Sequence, residues 1–214
     1  MIVSLFEQRP AFAVAVLMGF VVGIAVHEAA HAYSAYLLGD DTAYRAGRVT
    51  LNPASHLDLL GSLMLLIAGF GWGKPTPVVP SKLRGGVLGP VAVAFAGPAS
   101  NLLIIAVCAL LFALPSFKQG YLLIIVVAVA FVNALLFVFN LIPIPPLDGA
   151  KVIFPFLPRS MSAFVDFMNQ HGPTILLVLV LLTFLPGLPS PLTYILVLTR
   201  PILAAFGLPF PSMF

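Results

Sequence analysis

Long apolar stretches, separated by short polar segments, dominate the chain. Three of them contain no Asp, Glu, Lys or Arg: residues 85–117, 119–147 and 167–199. Each is longer than the roughly 20 residues that an α-helix needs to cross a ~30 Å hydrocarbon core. The pattern predicts an all-α, polytopic helical membrane protein with about five to six membrane segments. The predicted spans are residues 10–38, 88–114, 120–142, 173–187 and 191–207.

The apolar stretch 59–70 is shorter than the others. As a helix it would rise only ~18 Å, which is too little for a comfortable crossing. His27 and His31 lie near the end of the first span, and Asp148 lies just beyond span 120–142. If these three side chains meet, both spans end on one side, and 59–70 must leave and return to that side. We therefore predict a re-entrant segment, with a full crossing as the alternative.

Composition excludes a soluble globular domain. Hydrophobic residues make up 61% of the 214 residues and charged residues only 8%, with a mean hydropathy of +1.12. Soluble domains carry about 25% charged residues. The formal charge of +3 rests on only ten Lys and Arg, so it bears on membrane topology and does not indicate nucleic-acid binding. The single cysteine, Cys108, excludes an intrachain disulfide.

Lys and Arg are unevenly distributed between the two predicted sides. Most of them lie in segments 39–56, 71–87 and 143–172, and only Arg9 and Lys118 lie on the opposite side. The positive-inside rule then predicts a multi-pass protein of the cell membrane, with the three segments and the candidate active site toward the cytoplasm. The N-terminus would lie outside and the C-terminus inside.

We expect a single integral membrane domain over residues 1–214. Its catalytic core would cover about 10–155, and 156–214 would add C-terminal membrane helices. No stretch is polar enough to form a soluble module of useful size, so a regulatory or peptide-binding module would have to come from a partner.

An H-E-x-x-H pattern, His27-Glu28-Ala29-Ala30-His31, lies at the end of the first apolar run. Positions i and i+4 of a helix project from one face, so both imidazoles can reach one Zn²⁺. Glu28 lies one position further round, where a carboxylate can take a proton from an attacking water. Such residues are costly inside a bilayer unless they are paired or bind a metal. The alternative is a polar contact between helices.

Two histidines leave a catalytic zinc short of one protein ligand. Asp148 is the candidate, because it follows a proline-rich segment, 143–146, that must break the helix before it. Gly149 permits a close backbone approach at this elbow. The competing carboxylates lie in loops, where we expect them to be solvated. They are Asp40, Asp41 and Asp58.

Three motifs occur in a fixed order: H-E-x-x-H at 27–31, G-P-x-x-N at 97–101 and N-x-x-P-x-P-x-L-D-G at 140–149. In these motifs the chain resembles the site-2 protease family, the zinc-dependent intramembrane metalloproteases, over roughly residues 20–155. Stretch 39–85 also resembles that family. The chain has neither a PDZ domain nor a CBS pair, so the resemblance is to a compact form.

The resemblance implies specific roles. His27, His31 and Asp148 would hold one Zn²⁺ per chain, and Glu28 would be the general base. The family hydrolyses peptide bonds of transmembrane substrates in regulated intramembrane proteolysis. The implied partner is therefore a transmembrane protein in the lipid bilayer, such as an anti-sigma factor or another membrane-tethered regulator.

Four further residues are candidates for substrate binding. Asn101 and Asn140 are amides inside apolar spans, where each needs a hydrogen-bond partner. One or both could hold the substrate backbone, or both could serve helix packing. Trp72 and Lys74 follow the predicted re-entrant segment and could offer an extended edge to an unwound substrate, or could anchor the loop at the membrane interface.

A second class of function also explains histidine and carboxylate side chains within a membrane. A metal transporter or a zinc-binding membrane chaperone would bind the ion without hydrolysing anything. Against this reading, the polar residues gather around one point instead of following a path, and Glu28 has no role in transport. An inactive structural relative is a third alternative.

Overall fold

Helices build most of the described part of the chain, which comprises residues 7–68, 71–185 and 191–211 of a computed structural model. Among these residues the only strand-like feature is one isolated β-bridge, so the prediction of an all-α fold is confirmed. The helices are α1 (Pro10–Leu37), α2 (Thr42–Arg45), α3 (Leu59–Ala68), α4 (Leu88–Ala113), α5 (Gly120–Asn140), α6 (Asp148–Ile153), α7 (Ser162–Leu182) and α8 (Pro191–Ala205).

Four described helices are long and apolar enough to cross a membrane. Predicted spans 10–38, 88–114 and 120–142 agree with them to within two residues, because uninterrupted apolar stretches of this length have few alternatives to a helix. α8, where the pattern predicts span 191–207, is a shorter helix. The four stretches are Pro10–Leu37, Leu88–Ala113, Gly120–Asn140 and Arg159–Leu182, the last of which joins a 3-10 turn, Arg159–Met161, to α7.

The predicted start of span 173–187 is wrong, because α7 already begins at Ser162. Pro173 lies inside the helix instead of opening it. The turns of α7 before Pro173 expose their polar side chains and bury Met168 and Gly172. Polar residues in these turns are therefore compatible with a helix that packs on one face. Residues 186 and 187 of this predicted span lie outside the described residues.

The centre of the bundle is formed by α1, α4 and α5. α1 contributes small residues to its crossing with α5. A Cβ atom on Gly19 would lie 3.1 Å from the Cα atom of Val129, and one on Gly23 would lie 3.0 Å from Oδ1 of Asn133. Glycines spaced four apart let two membrane helices approach closely, and here they bring the backbone of α1 close to Asn133 on α5.

α3 forms the apolar part of a segment whose two ends meet. Leu57 and Gly73 form the antiparallel bridge, and the amide of Lys74 donates to the carbonyl of His56 at 2.7 Å. The return also brings the backbone of Trp72 against Gly61, where a Cβ atom would lie 2.2 Å from the Trp72 carbonyl oxygen. The segment leaves and returns at one place, as the prediction of a re-entrant stretch requires; its residues 69 and 70 lie outside the described residues.

The proline-rich elbow is non-helical between the end of α5 at Asn140 and the start of α6 at Asp148. Gly149 packs directly on the preceding backbone, since a Cβ atom there would lie 2.2 Å from the carbonyl oxygen of Leu141. The prediction of a helix break with a close approach at Gly149 is confirmed. The elbow changes the direction of the chain, so that Asp148 lies against His27 and His31 of α1.

Asp40 is fully buried, so the expectation that this loop carboxylate is solvated is wrong. Its Oδ1 accepts hydrogen bonds from the amide and hydroxyl of Thr42, and its Oδ2 accepts one from the amide of Val79 at 2.6 Å. Burial alone would raise the pKa of Asp40, but these hydrogen bonds and the Lys82 ammonium lower it below its ordinary value. Asp40 therefore joins the end of α1 to the segment that follows α3.

Candidate metal centre

His27 and His31 lie one turn apart on α1, and the elbow brings Asp148 to them. The two Nε2 atoms are 3.0 Å apart, and Oδ2 of Asp148 is 3.1 Å from each of them. All three residues are buried. They form a group of potential metal ligands, whereas Asp40, Asp41 and Asp58 do not belong to it.

The hydrogen bonds on the far side of each ring determine what the converging nitrogens can do. Nδ1 of His27 lies 2.8 Å from Oδ1 of Asn101, and Nδ1 of His31 lies 2.7 Å from the carbonyl oxygen of Val93. These oxygens only accept, so each Nδ1 carries a hydrogen. A neutral imidazole then presents a lone pair at Nε2. Two lone pairs and a carboxylate oxygen thus face one another, an arrangement that a cation stabilises.

The spacing of these atoms fits one zinc ion. Zinc binds histidine nitrogen and carboxylate oxygen at about 2.0–2.2 Å, so a single ion can reach three atoms separated by 3.0–3.1 Å. Gly97 on α4 leaves the necessary room, because a Cβ atom there would lie 2.4 Å from Nε2 of His31 and 2.6 Å from Nε2 of His27. The donor set of two imidazoles and one carboxylate suits zinc.

The second oxygen of Asp148 has a different partner. Nζ of Lys151 lies 3.2 Å from Oδ1, which leaves Oδ2 to face the histidines. Lys151 also lines a cavity of about 400 Å³ between the elbow, α6 and α7. The cavity is otherwise mainly apolar, and its walls include Pro145, Pro146, Leu147, Phe154 and Asn169. Lys151 therefore contacts Asp148 and also lines the apolar cavity.

Glu28 lies beside the candidate ligands and contacts the extended segment 71–79. Its Oε2 accepts a hydrogen bond from the amide of Thr76 at 2.9 Å, and its backbone carbonyl accepts one from the Thr76 hydroxyl at 3.0 Å. Gly73 approaches the same side chain, since a Cβ atom there would lie 3.7 Å from Cγ of Glu28. One carboxylate oxygen is thus held by the segment, next to His27.

Arg48 is a buried cation that holds this segment from the other side. Its guanidinium donates to the carbonyl oxygens of Lys74 and Pro75 and lies 4.0 Å from Oε2 of Glu28. Its Nε has no hydrogen-bond partner among the described residues. Burial lowers the pKa of Arg48 from its ordinary value, and the charge of Glu28 acts in the opposite direction.

The chain is similar to a known protein family and to several individual proteins. A model of peptidase family M50 matches residues 114–182, a range that contains Asp148 but not the H-E-x-x-H pattern. YwhC of Bacillus subtilis, named a candidate zinc metalloprotease, is 39% identical over 168 residues, which cover 74% of this chain and 76% of YwhC. The chain belongs to peptidase family M50.

Two further relatives carry the same description. Rip2 of Mycobacterium tuberculosis is 34% identical over 188 residues, covering 81% of this chain and 69% of Rip2. Rip2 of Mycolicibacterium smegmatis is 30% identical over 173 residues, covering 78% of this chain and 66% of that protein. Both are also named candidate zinc metalloproteases. No solved structure matches the chain.

The four predicted substrate-binding residues of this M50 chain occupy different environments. Asn101 is fully buried and contacts His27, so its surroundings suit orientation of that ring better than contact with a substrate. Asn140 is half-buried, and its amide donates to the carbonyl of Leu136 one turn earlier. Trp72 and Lys74 are exposed and belong to the extended segment beside Glu28.

Asn133 is a buried polar residue near the site that was not predicted, although the sequence carries a signal for it. Asn133 is an amide within an apolar stretch and lies two helical turns before Asn140, on the same face of α5. Arg48 and Thr76 had no such signal, because a loop arginine and a threonine between prolines are ordinary features. Only the packing of 71–79 on α1 shows that both contact the surroundings of Glu28.

Proposed function

We propose that the protein is a zinc-dependent intramembrane endopeptidase that hydrolyses peptide bonds of transmembrane substrates. The observation that carries the proposal is the meeting of three buried lone-pair atoms, from His27, His31 and Asp148, beside the carboxylate of Glu28. A transporter needs ligands along a path, whereas these residues surround one point. Membership of a peptidase family supports hydrolysis over transport or storage.

In the proposed mechanism, His27, His31 and Asp148 hold one Zn²⁺ per chain, and Glu28 is the general base. When bound there, the ion would supply a water with a pKa lowered toward 7 and would polarise the scissile carbonyl. The Thr76 amide holds Oε2 of Glu28, so we assign Oε1 to the attacking water, whose proton it takes. Glu28 can later return this proton to the leaving amine.

Substrate binding is proposed along the extended segment 71–79. Peptide bonds of a transmembrane helix are shielded by their own hydrogen bonds, so a substrate must unwind before cleavage. An extended segment offers backbone groups with which an unwound strand can pair. This segment contacts Glu28 through Thr76, so a strand beside it would pass close to the base. We assign Trp72, Lys74 and Asn140 to contacts with that strand.

We also propose how the chain is organised and where it is located. Residues 1–214 would form one integral membrane domain, with a catalytic core of about 10–155 and additional helices from 156 onward. We infer that the protein is a multi-pass protein of the cell membrane with the active site toward the cytoplasm, the N-terminus outside and the C-terminus inside. Its substrate would be a membrane-tethered regulator such as an anti-sigma factor.

The test is cleavage of single-span reporter proteins by purified protein in detergent, with zinc content measured on the same samples. The wild type should cut a reporter within its apolar segment. The Glu28→Gln variant should retain zinc and lose cleavage, because the amide keeps the shape of the side chain but cannot take a proton.

Two outcomes contradict the proposal. Full cleavage by Glu28→Gln would remove Glu28 from the role of general base. Zinc-loaded wild type that transports zinc across liposome membranes, and cuts no reporter in a panel of unrelated apolar segments, would favour the transport alternative.

A further inference from the structure

Asn133 is a fully buried amide near the middle of the apolar helix α5. It does not touch the candidate metal ligands. It is, however, joined to one of them by two hydrogen bonds: its Oδ1 lies 2.9 Å from Nδ2 of Asn101, and Oδ1 of Asn101 lies 2.8 Å from Nδ1 of His27. We propose that Asn133 is a positioning residue that determines which nitrogen of His27 faces the metal.

A backbone carbonyl on α5 fixes the orientation of the Asn133 amide. Nδ2 of Asn133 lies 2.9 Å from the carbonyl oxygen of Val129, which can only accept, so the nitrogen end of the Asn133 amide must point there. Its oxygen end therefore points to Asn101 and requires a donor. Asn101 must then present Nδ2 to Asn133, which leaves its own oxygen for His27.

The orientation of Asn101 fixes the hydrogen on the His27 imidazole. Oδ1 of Asn101 only accepts, so Nδ1 of His27 must carry the hydrogen, and Nε2 retains its lone pair. That lone pair points toward Nε2 of His31 and Oδ2 of Asp148. The orientation of the Asn133 amide on α5 thus determines the orientation of Asn101 on α4, which determines the tautomer of His27 on α1.

α1 also contributes to the orientation of the Asn101 amide. The carbonyl oxygen of Gly23 lies 3.4 Å from Nδ2 of Asn101 and so accepts from the same end of the amide. The absence of a side chain at Gly23 also leaves room for Asn133, because a Cβ atom there would lie 3.0 Å from Oδ1 of Asn133. Two acceptors, on two helices, therefore favour the same orientation of Asn101.

The inference rests on the proposed zinc site, and loss of Asn133 should weaken that site. Without the acceptor on α5, only the longer, 3.4 Å contact with the Gly23 carbonyl opposes rotation of the Asn101 amide. The amide then presents Nδ2 to His27 in part of the molecules. His27 would then carry its hydrogen on Nε2, facing Asp148, in a form that cannot bind a metal through that nitrogen. Loss of an outer hydrogen-bond partner of a metal ligand typically costs 10–100-fold in affinity.

The experiment compares three variants with the wild type as apoproteins in detergent. Asn133→Leu removes both polar ends of the side chain at similar size. Asn133→Asp is the conservative variant, because a protonated carboxyl can donate to Val129 and accept from Asn101. Thr199→Val is the matched control. Thr199 is a fully buried polar residue on α8, and its hydroxyl bonds to the carbonyl of Leu196, outside this network.

Zinc affinity is measured by competition with a chromophoric chelator. Asn133→Leu should bind zinc about 10–100-fold more weakly, while Thr199→Val and Asn133→Asp stay near the wild type. A second readout is the ring ¹⁵N spectrum of histidine-labelled apoprotein, with His27 assigned by His27→Gln. The wild type should show the hydrogen of His27 on Nδ1, and Asn133→Leu should show it shifted toward Nε2.

Wild-type affinity of Asn133→Leu, with the His27 hydrogen still on Nδ1, would overturn the inference. So would a wild-type apoprotein with the hydrogen on Nε2, a measurement that requires no variant to fold. Failure of the wild type to bind zinc would instead contradict the proposed function, and the nitrogen spectrum would still decide the role of Asn133.

Discussion

A Cβ atom on Gly97 would lie 2.4 Å from Nε2 of His31, so the absence of a side chain at Gly97 keeps the space between the candidate ligands open. We expect Gly97→Ala to lower zinc affinity by about tenfold or more, because the added methyl group must displace at least one imidazole. Zinc content of the purified variant is the direct measurement.

The matched control for this change is Ala92→Val, which adds carbon atoms at an exposed position of the same helix. It should keep wild-type zinc content. Normal zinc content in Gly97→Ala would show that zinc, if bound, does not lie between these histidines.

Removal of any one candidate ligand should remove most of the zinc. We expect His27→Ala, His31→Ala and Asp148→Ala each to reduce zinc occupancy sharply, because a site with two protein ligands is incomplete. Metal analysis after dialysis against a moderate chelator measures this. His171→Ala is the control, since His171 is exposed on α7 and should not matter. Equal zinc content in all four variants would disprove the assignment of the ligands.

Arg48 should affect cleavage without affecting zinc binding. Arg48→Met removes the donors to the carbonyl oxygens of Lys74 and Pro75 and so releases the segment that contacts Glu28. A displacement of about 1 Å at a reacting group can cost about 100-fold in rate, and we expect a loss of at least tenfold in kcat. Reporter cleavage and zinc content are measured together.

Arg45→Met is the control for Arg48. Arg45 lies in the same loop region and forms an exposed ion pair with Asp41, a type of contact that is worth little. Its cleavage rate should be unchanged. If Arg48→Met cut the reporter at the wild-type rate, the segment would not need this guanidinium to stay beside Glu28.

Asp40 should contribute to stability in its charged form. Asp40→Asn keeps the size of the side chain but replaces one acceptor oxygen with an NH₂ group. This group would face the donors of Thr42 or Val79. We expect the free energy of unfolding to fall by about 1–3 kcal/mol. The folded protein lowers the pKa of Asp40 below its ordinary value of 3.8. The charged carboxylate therefore stabilises the wild type at any pH above 3.8. This stabilisation is lost as the pH falls from 3.8 through the lowered pKa of the folded state.

Thermal unfolding in detergent at several pH values checks this prediction. At neutral pH Asp40→Asn should unfold at a lower temperature than the wild type, and the difference should shrink below about pH 4. Asp41→Asn is the control, because Asp41 is partly exposed and its contacts are at the surface. A pH-independent difference would mean that the charge of Asp40 is not what stabilises the fold.

The apolar spans and the elbow could be predicted from the sequence because local chemistry determines them. A stretch such as 119–147, free of charged residues, must satisfy its backbone within a helix. Pro143, Pro145 and Pro146 must end that helix. The start of α7 could not be predicted in this way, because a polar helix outside the apolar stretch has no comparable local signal. In the structure these first turns bury Met168 and Gly172 and expose most other side chains.

The spacing of His27 and His31 determined by itself that both rings share one face of a helix, because the helical period is a local property. Which carboxylate joins them was decided only by the tertiary structure. Asp40 lies nine residues from His31 in sequence, yet it binds the segment after α3, whereas Asp148 reaches the histidines from far along the chain. The tertiary structure likewise decided which ring nitrogen of each histidine carries the hydrogen. Asn101 accepts from Nδ1 of His27, and Val93 accepts from Nδ1 of His31. Such partners across a helix interface depend on how the helices pack and not on the order of residues.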